Sequence, residues 1–135
     1  MKIKKYFLIF IFFFGFSCYS QEKLKENIYE VLDKVQIDKW YETRKLLEEK
    51  YFYTFLKKHK IKFSCAHCVS IYIDIDVHVM EDGHAHVKVL QTKKCGSEFN
   101  AKQITELEKL LFNMQFAHEL KNKKFVARVG NGLKC

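Results

Sequence analysis

The sequence predicts one α+β domain: two N-terminal helices, then a β-hairpin, a helix and a final strand, with the strands forming a three-stranded antiparallel sheet. Three observations carry this. Between Gln21 and about Lys60 there is no Gly and no Pro, and apolar residues recur at helical spacing. From Val69 to Val79 the period drops to two. Asp82-Gly83 then separates that run from a second alternating one, Ala85, Val87 and Val89.

The start of the chain reads as a targeting segment. Lys2, Lys4 and Lys5 precede an apolar run from Tyr6 to Phe16 and the small residues Ser17, Cys18 and Ser20, the layout of a secretory signal peptide. The run is about half of the ~20 residues that cross a bilayer as a helix, so no transmembrane span is expected in the mature chain. Cleavage before Gln21 is the expected processing, with lipid attachment at Cys18 as the competing route to an outer-surface lipoprotein. The expected location is periplasmic or secreted. The whole chain of 135 residues carries +8. Removing residues 1–20 takes away three Lys and no acid, which leaves 21 Lys and Arg against 16 Asp and Glu, or +5. A chain of this size builds one modest core. We therefore expect residues 21–60 as a helical arm that folds as one unit with a disulfide-tied ββαβ domain over 61–135.

In the arm, Ile28, Val31, Leu32 and Val35 fall at helical spacing, as do Trp40, Leu47, Tyr51 and Phe55, with Leu46, Phe52 and Leu56 widening the second stripe. The spacing predicts two helices with a break near Gln36 to Asp38. An aromatic stripe of this kind is core or helix-pairing surface. Lys57, Lys58, Lys60 and Lys62 crowd the end of the second helix, where cations complement the helix dipole. No aromatic residues interleave with them, so no nucleic-acid partner is expected.

The hairpin register follows from the side-chain pattern. A two-residue Asp82-Gly83 turn would set Val79 against His86 and mix apolar with polar side chains on one face. A three-residue loop with Gly83 in the left-handed conformation instead pairs Val79 with Ala85, Val77 with Val87 and Ile75 with Val89. Beyond the hairpin, Asn100 and Gln103 form a capping box that opens a helix. Its apolar face is Ile104, Leu107, Leu110, Leu111 and Met114. A last strand, about Lys124 to Val129, follows the Lys121-Asn122-Lys123 turn.

Four cysteines remain after removal of the first twenty residues: Cys65, Cys68, Cys95 and Cys135. An even number in an exported chain points to disulfides. The register places Cys95 opposite Val69, within reach of Cys68 or Cys65, and Cys135 would take whichever of the two is left. A Cys65–Cys68 redox dithiol is the alternative, although the helix N-terminus that activates such thiols is replaced here by a strand. Across the hairpin His78 faces His86, with His84 diagonal to them, so zinc or copper is the alternative ligand for this cluster. There is no G-x-S-x-G, no H-E-x-x-H and no glycine-rich phosphate loop. An enzyme is therefore not expected, and neither is a cofactor.

The segment VHVMEDGHAHVKVLQTKKCGSEFNAKQITELEKLLFNMQFAHELKNKKFVARV, Val77 to Val129, resembles the C-terminal domain of TonB-type energy transducers, a likeness that extends over roughly residues 69–130. In that family a strand, an Asp-Gly or similar turn, a second strand, a helix and a basic turn into a final strand follow in this order. Phe112 to Ala117 supplies aromatics where the family has a Trp- or Phe-x-Pro-Ala segment, and Asn122-Lys123 stands at its Gly-Lys turn. The family's membrane anchor and proline-rich spacer have no counterpart in this sequence. The resemblance thus implies a fold and a habit of binding by strand addition at a sheet edge, not energy transduction. It makes the final strand, with Phe125, Val126 and Arg128, the expected contact for an envelope protein or another cell-envelope component.

Overall fold

The computed structural model describes residues 26–132. The segment expected to be a signal peptide, with Cys18, and Cys135 lie outside the described residues. The fold is α+β, with helices packed on a three-stranded antiparallel sheet. In chain order the elements are α1 (Ile28–Val31), α2 (Lys34–Leu46), a wide helical segment (Leu47–Phe52), α3 (Tyr53–Lys58), β1 (Ser70–Val79), β2 (Ala85–Lys94), α4 (Ala101–Phe112), a 3₁₀ turn (His118–Leu120) and β3 (Lys124–Gly132).

The break in the arm lies at Leu32-Asp33, earlier than the predicted Gln36 to Asp38. Asp33 accepts a hydrogen bond from the Gln36 backbone N–H, and the Gln36 side chain accepts one from the Asp33 N–H. This capping box satisfies two of the free donors at a helix start, so α2 begins there. The stripe divides accordingly: Ile28 and Leu32 are buried, while Val31 and Val35 are exposed.

From Lys34 to Lys58 the helix is continuous, but its middle runs with i→i+5 bonds, as from the Tyr53 N–H to the Glu48 carbonyl. One extra residue per turn rotates the buried face. Leu47 is therefore followed in the core by Phe52, with Tyr51 only half-buried, and Phe55 and Leu56 continue the new face. Leu46, on the departing side, is left 48% exposed.

β1 lies at the centre of the sheet, between β2 and β3. The hairpin pairs Val79 with Ala85, Val77 with Val87 and Ile75 with Val89, as the side-chain pattern predicts. Its loop is the expected three-residue one, since Met80 donates to the His84 carbonyl and Gly83 has φ +88°. A bulge between Asp74 and Ile75 then shifts the pairing by one, so that Ile73 meets Thr92 and Ile71 meets Lys94. Without it Gln91 would face the core. The bulge turns Gln91 out to solvent and buries the shorter Thr92, whose hydroxyl accepts a bond from the Phe99 N–H.

Ile71, Ile73, Ile75, Val77 and Val79 of β1 share one face with Ala85 of β2 and with Phe125, Ala127 and Val129 of β3. Every helix contributes to the core on that face, through Ile28, Trp40, Phe55, Leu107 and Leu111. α4 opens on the predicted Asn100–Gln103 capping box. The segment after α4 braces the hairpin, since the Phe116 N–H donates to the Gly83 carbonyl. At the far end of the sheet β3 passes so close to β1 that a side chain at Gly130, where φ is +103°, would run into the Ile71 carbonyl and the Tyr72 backbone.

α3 and α4 are tied at the surface by Glu106, whose carboxylate accepts from Lys58 and lies 2.8 Å from His59 Nε2. The Lys58 bond, and then that of His59, holds the Glu106 carboxyl below its ordinary value of 4.5. A depressed folded-state value makes the tie fully stabilising above the ordinary carboxylate range, and the stabilisation is lost as pH falls through the lower value. Followed by NMR, the Glu106 carboxyl is expected to titrate below 4.5, and Glu106→Gln to remove that part of the acid dependence of unfolding. Titration at the ordinary value would contradict the tie.

Candidate functional site

Strand alternation sends every second side chain away from the helices. On β1 these are Tyr72, Asp74, Asp76 and His78; on β2 His86, Lys88, Gln91 and Lys93; on β3 Lys124, Val126 and Arg128. Asp76, His86, Lys88, Gln91, Lys93 and Lys124 are exposed. α4 reaches this second face at its margin, where Phe112 lies beside His86.

The face has two halves of different character. In the half away from the hairpin loop, Arg128 donates from Nε and Nη2 to the two Asp74 oxygens, at 2.7 and 3.0 Å, and its guanidinium lies 3.9 Å from the centre of the Tyr72 ring. Asp74 is only 1% exposed as a result. The Asp74 hydrogen bond is the chief reason that the Arg128 guanidinium is held above its ordinary value. Asp74, Arg128 and Tyr72 in this half are thus engaged with one another.

The half nearer the hairpin loop is open. Asp76, His78, His86, Val87, Lys88 and Lys124 line a shallow depression there. Register places His86, His78 and Lys124 in one cross-strand row, and Lys88, Asp76 and Val126 in the next. None of the Asp76, His78, His86, Lys88 or Lys124 side chains has a hydrogen-bond or ion-pair partner among the described residues.

The three hairpin histidines separate. His78 and His86 face each other as the register requires. His84 turns to Asp82, with Nδ1 3.3 Å from Oδ2, and its ring stacks 5.9 Å from that of Phe112. The His84 backbone N–H is the main cause that holds the Asp82 carboxyl below its ordinary range. His86 also leans towards Phe112, at 5.6 Å. Among the described residues, no group of three or more His, Cys, Asp or Glu side chains could hold a metal ion.

The cysteine positions are decided by the bulge. It sets Ser70 rather than Val69 beside the end of β2, where Cys95 donates its backbone N–H to the Ser70 carbonyl. Cys68 and Cys95 form a disulfide with Cα atoms 4.7 Å apart. Cys65 is also disulfide-bonded. Cys65 and Cys68 are therefore not joined to each other as a redox pair. Among the described residues no helix is long and apolar enough to cross a membrane.

The chain itself engages the outward backbone of β3, the expected contact strand, and one outward donor in the middle of β2. Phe125 is buried, edge-on to Trp40 at 5.0 Å. The outward backbone of Val126 bonds to Asn27 through both its N–H and its carbonyl, and the Arg128 N–H donates to Glu26. Farther along, Gly130 donates to Glu48, and its carbonyl accepts from Arg44. On β2 the Val89 N–H is taken by Glu108 of α4. Such caps are how sheets keep stray strands from pairing with them. The sequence carries no signal for them, because the partners lie 19 to 102 residues apart. No family model, curated protein or solved structure matches this chain.

Proposed function

We propose that this chain is an exported, non-catalytic interaction module of the bacterial envelope that receives a protein or envelope partner on the open face of its sheet. One observation carries the reading: the polar side chains around Asp76 are unengaged, whereas the outward backbone of β3 and the neighbouring Asp74–Arg128 pair are taken by the chain's own contacts. The disulfides fit the oxidising compartment that the signal-like first residues suggest. The resemblance to the TonB-type C-terminal domain adds a habit of binding through a sheet. Here the outward backbone of β3 is already engaged, so the reading moves that contact from edge to face.

A photoreactive amino acid at Gln91, exposed in the cross-strand row next to that of Lys88 and Asp76, is expected to give one discrete crosslinked adduct in cells that make the protein. The same residue at Lys102, exposed on α4, is expected to give none. Equal adducts from both positions, or none from Gln91, would rule out the face as the contact surface.

A further inference from the structure

We infer that the depression between Lys88 and Lys124 binds an extended acidic segment of a partner protein, an inference that rests on the open face being the contact surface. The arrangement of charge decides the chemistry. Lys88 and Lys124 stand on the two outer strands, with one unpaired carboxylate, Asp76, between them on β1. Strands are spaced about 4.8 Å apart and residues along them about 3.4 Å, so the two lysine Cα atoms are separated by about 12 Å.

A compact anion such as phosphate fits this poorly. It would rest against Asp76, and the one arginine on the face, Arg128, already gives Nε and Nη2 to Asp74. A site for phosphate also calls for converging N–H donors or a free guanidinium fork, whereas lysines on separate strands are dispersed point charges.

An extended peptide fits better. Carboxylates at alternate positions repeat about every 7 Å, so two of them, two or four residues apart, reach the two lysines. A backbone N–H between them meets Asp76, and the imidazoles of His78 and His86 supply donors or acceptors along the same row. Each group in the depression then has a partner of the right kind.

The test uses a capped ten-residue peptide with Glu at alternate positions and Thr between, added to the full mature chain labelled for NMR. Shifts are expected at Asp76, His78, His86, Lys88 and Lys124, and weaker binding is expected as salt is raised. The double variant Lys88→Glu/Lys124→Glu should bind about tenfold more weakly. Lys102→Glu/Lys109→Glu makes the same change in net charge on α4 and should alter binding less than about threefold. Unchanged thermal unfolding of both variants shows that the fold is intact.

The inference is overturned if a Gln-for-Glu peptide binds equally, if both double variants weaken binding alike, if shifts scatter over the surface, or if the peptide gives none at millimolar concentration. It is also overturned if inorganic phosphate alone produces the shifts. In each of these cases a persisting Gln91 crosslink would keep the face as the contact surface and remove only the acidic peptide, whereas loss of that crosslink removes the surface itself.

Discussion

Trp40→Ala is expected to destabilise the domain by about 4 kcal/mol, the usual cost of truncating a large buried aromatic. Trp40 is 0% exposed and packs edge-on against Phe125, at the junction of the helical arm with β3. Emptying that position leaves a cavity where two layers meet. Urea unfolding should show a lower midpoint, and near-ultraviolet circular dichroism a loss of aromatic signal beyond that of the indole itself.

The conservative variant separates volume from polarity. The Trp40 Nε1–H is buried with no hydrogen-bond partner among the described residues, an arrangement that costs about 1–3 kcal/mol. Trp40→Phe keeps a ring against Phe125 and removes the unsatisfied donor, so its net cost should stay within about 1.5 kcal/mol. If phenylalanine proves as damaging as alanine, the indole N–H is not the burden this geometry implies.

Loss of the Cys68–Cys95 disulfide carries the second large effect. The two residues are 27 apart in sequence, and closing a loop of that length removes about 3.5 kcal/mol of unfolded-chain freedom. The bond also fixes the start of β1 to the end of β2, where Cys95 holds φ +52°. Replacing both cysteines by serine should lower unfolding stability by about 3 kcal/mol while the hairpin beyond the bulge stays paired. Fragment mass mapping of non-reduced protein should recover Cys68 joined to Cys95. An unchanged urea midpoint in the double variant, or Cys95 recovered with Cys65, would contradict this account.

Much of the fold was legible because its signals are local. The alternation through Ile71, Ile73, Ile75 and Val77 defined β1. The cost of mixing Val79 with His86 selected the three-residue loop, and Asn100 with Gln103 marked the start of α4. Asp33 and Gln36 carry the same capping signal for α2, but the apolar spacing points instead to a break at Gln36 to Asp38. The candidate site was half legible: the His78–His86 pairing follows from register, whereas the departure of His84 to Asp82 and Phe112 does not.

Read alone, the chain specified its elements, the hairpin register near the loop and the apolar face of the sheet, since each depends on residues a few positions apart whose burial obeys a fixed period. The bulge that chose Cys68 over Cys65, the extra residue per turn that put Phe52 in the core, and the side chains that engage the β3 edge came only from the folded whole. They are settled by groups up to 102 residues distant, brought together where an unpaired backbone N–H or a buried glutamine would otherwise lose its bonds to water. Those same tertiary contacts left the depression around Asp76 open.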